Sequence, residues 1–175
     1  VTFGYDEHTV LKHLSFQVEE GEQITLSGRT GAGKSTVFKL LLGLYEPGEG
    51  SVWIDGREAA AIDRKDRRFL FGYVEQSFHR VAGTVKDQIT LYDEKISMEN
   101  VKEAAELTGL HDTIMHLPDG YDTICTPELF SQGQWQLLSI ARAAAARPKL
   151  LLLDEITANL DAETEKEVLE ALKRV

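Results

Sequence analysis

One cysteine, Cys125, stands in the 175 residues. No disulfide can close within such a chain, and a reducing compartment suits it. Long apolar runs are missing as well. Nothing approaches the roughly 18 apolar residues of a membrane-spanning helix. The opening VTFGYDEHTV has neither the basic nor the apolar region of a signal peptide. It also lacks an initiating Met, and ALKRV stops inside a helical pattern, so the sequence reads as a piece excised from a longer chain. Basic residues are in the minority, 19 against 29 acidic, giving a formal charge of -10. That balance argues against a nucleic-acid surface, which needs a basic face. His8, His13, His79, His111 and His116 show no zinc spacing with a cysteine pair. Internal repeats and low-complexity tracts are absent too.

What is there is ordinary globular material, 42% hydrophobic and 27% charged, and long enough for one domain with a core. The periodicity changes repeatedly along it. LSFQV sets Leu14, Phe16 and Val18 on one face of a strand, and EQITL predicts a second strand running into a glycine loop. Ser35 to Leu42 reads as a buried helix stopped near Gly43. GEGSVWIDG predicts a strand ending at the Asp55-Gly56 turn, and FLFGYVEQ another. From about Val85 to Arg147 the pattern is helical. Ser97 caps a helix that puts Val101, Ala104, Ala105 and Thr108 on one face, and QWQLLSIARAAAARP is a helix closed before Pro148. Four leucines in LLLLDE mark a strand buried on both faces of a parallel sheet. The last helix has Asp161 as its cap and Val168, Leu172 and Val175 on its inner face. The expected fold is α/β, with a core over 1–84 and 149–175 and a helical subdomain over about 85–148. Trp53 and Trp135 are expected to be packing residues, and Cys125 an ordinary free thiol.

Two stretches carry chemistry. Gly28-Arg29-Thr30-Gly31-Ala32-Gly33-Lys34-Ser35 satisfies G-x-x-x-x-G-K-[ST] between a predicted strand and a predicted helix. Glycines let successive N–H groups curl around phosphate oxygens, and the helix start adds its positive dipole end. Lys34 supplies a cation for the β- and γ-phosphates, and the Ser35 hydroxyl a hard ligand for Mg²⁺. At the carboxyl end of LLLLDE stand Asp154 and Glu155, where open α/β sheets bind ligands. Asp154 suits a Mg²⁺ shell, and Glu155 the activation of a water for in-line attack on the γ-phosphate. The bland alternatives are a glycine-rich turn with a lysine and a strand ending in two solvated acids.

FSQGQWQLLSIARA resembles the signature motif of ABC ATPases, with Phe130, Ser131, Gln132, Gly133 and Gln134 in the place of Leu-Ser-Gly-Gly-Gln. Taken alone, it reads equally well as a serine-glycine helix cap. The resemblance covers essentially the whole chain. It implies a P-loop NTPase (RecA-like/F1-like) core with a parallel sheet, N-terminal antiparallel strands and a helical signature subdomain. ATP would be cradled by Gly28, Gly31, Gly33, Lys34, Ser35 and Thr36, with adenine against Tyr5. Gln76 in YVEQS is similar to the glutamine that touches Mg²⁺ and the attacking water, and TANLD, with Asn159 and Asp161, to the loop that crosses the dimer interface. Mg²⁺ would be held by Ser35, Gln76 and Asp154. Ser131, Gly133 and Gln134 would face the γ-phosphate bound by a second ATP-binding domain in a head-to-tail homo- or heterodimer.

VLKHLSFQVEEGE, VAGTVKDQI and LPDGYDTI resemble exporter half-transporters. That implies a transmembrane domain as partner, a place on the cytoplasmic face of a membrane, and ATP hydrolysis that powers export. Gln132 departs from the first signature glycine, ICTPEL is shorter than the usual exporter connection, and no His follows His116 to act as the switch histidine. A fragment without that histidine is expected to hydrolyse ATP weakly. A soluble ABC ATPase, a degenerate half-site that holds ATP without turnover, and a P-loop kinase remain alternatives.

Overall fold

The computed structural model describes residues 1–29, 31–75, 77–156 and 160–175. The chain forms two compact units, Val1–Arg67 and Arg68–Val175.

In the first unit, β1 (Phe3–Tyr5) and β2 (His8–Leu11) make an antiparallel hairpin. Its turn is reached through Asp6 in the left-handed region, a conformation that Asp tolerates better than most side chains. Phe3 and Leu11 face α1 (Lys34–Leu41) and bury with Val37 and Leu40 in a small apolar core. Helix α1 ends in a Schellman motif: Gly43 N–H donates to Leu40 O at 3.0 Å and Leu44 N–H to Lys39 O at 2.9 Å. Gly43 takes φ +64° there, and a Cβ on it would stand closer than 3.0 Å to the Ala59 carbonyl. The expected helix and its glycine stop are therefore present. β3 (Trp53–Ile54) and β4 (Arg57–Glu58) pair across Asp55 and Gly56, both with positive φ, as the turn signal predicts. A 3₁₀ turn over Ala59–Ala61 leads to α2 (Arg64–Leu70), on which the boundary between the units falls.

The strands expected over Leu14–Val18 and in EQITL do not form. A strand needs a ladder as well as an alternating pattern; among the described residues Leu14 exchanges backbone hydrogen bonds with Val1, and Glu22 N–H reaches only Glu19 O within a turn. Leu14 and Leu26 still pack on the apolar core, while Phe16 and Ile24 are exposed. Trp53, expected to pack, is 61% exposed on its two-residue strand.

The second unit is built on α6 (Gln132–Ala144), nine of whose residues are buried. β5 (Phe71–Val74) pairs in parallel with β6 (Leu150–Leu153), Phe71 opposite Leu150 and Val74 opposite Leu153. Only Leu152 of the four leucines is fully buried, because β6 has a partner on one side alone among the described residues. Helices α3 (Val85–Thr90), α4 (Met98–Leu107), α5 (His111–Met115) and α7 (Ala162–Leu172) surround this core. Ser97 caps α4 by accepting from Asn100 N–H, and Val101, Ala104, Ala105 and Thr108 are buried as its periodicity predicts. Asp161 caps α7. That helix buries Val168 and Ala171, whereas Val175 is exposed, since α7 ends before it.

Replacing Gly43 with Ala should destabilise the domain by about 2 kcal/mol, because both the positive φ and the Ala59 carbonyl oppose a Cβ. Urea denaturation checks this, and an unchanged midpoint would contradict it.

Candidate functional site

The first unit holds the glycine-rich loop. Gly31 and Gly33 have φ of +82° and +93°, and Gly33 is the N-cap of α1. A glycine cap brings no side-chain acceptor to the first N–H groups of α1, which a helix start otherwise leaves unpaired. Those donors and the dipole end suit an anion, and a phosphate group fits that chemistry. A Cβ on Gly33 would also come within 2.9 Å of Leu11 and Val10 side-chain carbons, so the loop is packed onto β2. Lys34 bends back over the loop and donates from Nζ to the carbonyls of Gly28 at 2.8 Å and Arg29 at 3.4 Å. Ser35 is exposed, with its hydroxyl available as a hard oxygen donor for a magnesium ion.

Thr36 is buried, and its hydroxyl lies 3.4 Å from the Tyr5 hydroxyl. Tyr5 itself meets Phe3 and Tyr45 edge-on, with centroids 5.1 and 5.5 Å apart, and Lys39 Nζ stands 5.7 Å from its ring centre. The structure thus joins Tyr5 to the helix that follows the loop, within an aromatic cluster.

The second unit holds the carboxylates. β6 delivers Asp154, whose N–H donates to Val74 O at 2.9 Å and so continues the parallel ladder one residue past the strand. The Tyr73 hydroxyl donates to Asp154 Oδ2 at 3.2 Å. Burial, followed by the nearby Asp154 charge, pushes the Tyr73 phenol up to about 12. A protonated phenol therefore orients the Asp154 side chain, whose oxygens are donors of the kind that suits magnesium. Sequence reasoning missed Tyr73; the parallel register, which sets Tyr73 beside Leu152, is what brings it there. Glu155 is exposed and adopts φ +48°, a conformation uncommon for a side chain other than Gly, Asn or Asp. Gln76, Thr30 and Asn159 lie outside the described residues.

Ser131 caps α6. Its Oγ accepts from Gln134 N–H at 3.2 Å, while Gln134 Oε1 accepts from Ser131 N–H at 2.9 Å, a reciprocal capping box. The cap leaves the hydroxyl proton of Ser131 free to be donated elsewhere. Ser131 and Gln132 are exposed and Gly133 is buried. Asp161 accepts from the N–H groups of Glu163 and Thr164 and from the Thr164 hydroxyl, and these bonds hold its carboxyl below the ordinary carboxylate range.

The segment after β5 is fastened to α6. Gln136 Nε2 donates to Glu75 O at 3.4 Å. Arg142 donates from Nη1 to His79 O at 2.8 Å and from Nε to Gln88 O at 2.6 Å, and its guanidinium stacks 4.0 Å from the Phe78 ring centre. Burial, then repulsion from Arg68, lowers the Arg142 pKa to about 10. Trp135 packs between Phe78 and Phe130, the packing role expected of it. A cleft of about 460 Å³ opens alongside, walled by Phe78, Arg80, Phe130, Gln132, Trp135 and Leu160. Arg142 carried no motif, so only the fold reveals it. Burial raises the Cys125 thiol to about 11, which keeps it protonated near neutrality. Among the described residues, no group of three or more His, Cys, Asp or Glu side chains converges as a metal set, and no helix is long and apolar enough to cross a membrane.

Comparison with known proteins agrees with the motifs. The pattern of the ABC transporter family matches residues 11–158. YfiC, an ABC transporter ATP-binding protein of Bacillus subtilis, is 44% identical over 178 residues, covering 100% of this chain and 30% of YfiC. A probable multidrug resistance ABC transporter ATP-binding/permease protein of the same organism, YheH, is 38% identical over 98% of this chain and 26% of its own length. A bacterial Atm1-family ABC exporter solved with ATP bound is 36% identical, with a TM-score of 0.83 over 99% of this chain and 31% of that one. The chain thus spans less than a third of the length of these relatives.

The Tyr73–Asp154 pair predicts an alkaline signature. The folded phenol holds its proton to about pH 12, against about 10 in the unfolded chain, so the stability it contributes is full below 10 and is lost as pH rises through 12. Tyr73→Phe should remove one phenolate equivalent from the end of the alkaline absorbance titration. Its loss from the region near pH 10 instead would contradict the pairing.

Proposed function

The chain belongs to the ABC transporter family, and from that membership we propose that it is the ATP-binding and ATP-hydrolysing part of an exporter. The observation that carries this is the loop of the first unit: two left-handed glycines open onto a helix start that no side chain among the described residues caps. Gly28, Gly31 and Gly33 would let the loop N–H groups approach the phosphates. Lys34 would exchange its carbonyl partners for β- and γ-phosphate oxygens. Thr36 would cradle the phosphates from the first turn, with adenine against Tyr5. Ser35, Gln76 and Asp154 are the hard oxygen donors we assign to magnesium. That ion, when bound, supplies neutralisation of the charge developing on the phosphates.

The second unit would contribute the base. Glu155 accepts a proton from a water as its oxygen attacks the γ-phosphorus in line, the bond to the β–γ bridging oxygen breaks, and ADP leaves with the electron pair. Gln76 would help to orient that water. Asp154, held by the Tyr73 hydroxyl through one oxygen, would turn the other toward the magnesium. Ser131, with Gly133 and Gln134 behind it, would face the γ-phosphate held by a second such domain arranged head to tail.

The exporter assignment draws on YheH and the Atm1-family likeness. It implies a transmembrane partner domain and a place on the cytoplasmic side of its membrane. The core would be 1–84 with 149–175, and the helical subdomain about 85–148. The exposed Gln132 favours a second reading, an ATP-holding half-site that supports an active partner.

Glu155→Gln in the full-length protein should lower kcat by about 100-fold or more while Mg-ATP still binds, and Lys34→Ala should weaken Mg-ATP binding about tenfold. Turnover assays and equilibrium binding check both. Binding without turnover in the unmutated protein would select the half-site reading. Absence of Mg-ATP binding would overturn the proposal.

A further inference from the structure

Gly133 is buried, and a Cβ built on it would stand closer than 3.0 Å to Thr164 Cγ2. The same position is 3.5 Å from Thr164 Cβ and Oγ1, which is ordinary contact. The missing side chain of this signature glycine therefore points at α7, into the space that one methyl fills. The hydroxyl of Thr164 is committed in another direction: Oγ1 donates to Asp161 Oδ2 at 2.8 Å, and Thr164 N–H donates to Asp161 Oδ1 at 3.0 Å. One residue thus touches the first turn of α6 with its methyl and the carboxylate before α7 with its hydroxyl. Ser131, which opens α6 through its capping box, is two residues from the seat.

We propose that Thr164 is a positioning residue: by seating on Gly133 and holding Asp161, it makes the Ser131 end of α6 and the start of α7 move as one body. Part of the requirement for glycine at 133 then comes from Thr164, in addition to the phosphate-facing place proposed for its backbone. This rests on the reading of Ser131 as a surface that meets the γ-phosphate of a second domain, because only then does a displaced α6 start slow turnover. Nucleotide bound at the glycine-rich loop of the first unit is not touched by the seat, so the defect falls on kcat and spares KM.

The two atoms of Thr164 can be removed separately, which gives the test. In the full-length protein, kcat and KM for Mg-ATP and the melting temperature are measured for Gly133→Ala, Thr164→Ser, Thr164→Val and the two doubles that combine Gly133→Ala with each. Gly133→Ala should lower kcat about tenfold with KM within about threefold. Thr164→Ser keeps the bond to Asp161 and removes the methyl, so the Gly133→Ala/Thr164→Ser double should regain most of the lost kcat. Thr164→Val keeps the methyl and loses the hydroxyl, so its double should regain nothing.

A Gly133→Ala/Thr164→Ser double as slow as Gly133→Ala alone overturns the proposal, as does equal rescue by both doubles or a defect confined to KM. Should the unmutated protein bind Mg-ATP without turnover, or not bind it, the functional reading fails separately. The melting temperatures then decide the seat: recovery by Thr164→Ser and not by Thr164→Val supports it, and any other order overturns it.

Discussion

The burial of α6 on nearly every side is the constraint from which the second unit follows. Nine of its thirteen residues are out of solvent, and they include Gln136 and Ser139 as well as the leucines and alanines. A helix enclosed in this way cannot turn or slide without opening its contacts with α3, α4, α7 and β5 together. Small residues at Gly133, Ala141 and Ala144 let those neighbours come close, and the polar ones are placed where a backbone group can satisfy them. Gln136 reaches Glu75 O, and Ser139 donates back to Gln136 O at 2.8 Å.

Arg142 extends that constraint into the segment after β5. Two of its nitrogens hold carbonyls that sit 63 and 54 residues away in sequence. Its Nη2 is buried with no hydrogen-bond partner among the described residues, and the cost of a buried, unpaired donor is of the order of 1–3 kcal/mol. Arg68 works alongside it, donating to the carbonyls of Ile89 and Thr90 at the end of α3 and lying 3.9 Å from Asp93. Two cations thus satisfy the carbonyls that a helix end leaves open, where the helix dipole favours positive charge. The segment that follows Gln76 is held by the same helix that presents Ser131.

Much of this was legible in the sequence because local chemistry determined it. The Ser97 cap and the 3.6-residue spacing of α4, the Gly43 stop of α1 and the Asp55-Gly56 turn each depend on neighbours a few residues away, and each formed as read. The expected strands at Leu14–Val18 and EQITL failed because alternation predicts a face without supplying the partner whose hydrogen bonds define a strand. The glycine-rich loop and the Asp154-Glu155 strand end were visible as spacing. Tyr73, Arg142 and Thr164 were not, since each acts on a residue that only the tertiary fold brings within reach. Gly133 was legible as part of a motif, and its contact with Thr164 was hidden with that residue.

Glu155 shows how a fold and its chemistry can pull apart. Its left-handed backbone costs a residue of that shape about 1 kcal/mol or more, which glycine at the same place would not incur. Selection for thermal robustness alone would therefore erode the glutamate, and a library screened only for soluble expression would be expected to enrich glycine or asparagine at 155. The acid would persist in such a lineage only while the proton-accepting role proposed for it is under selection.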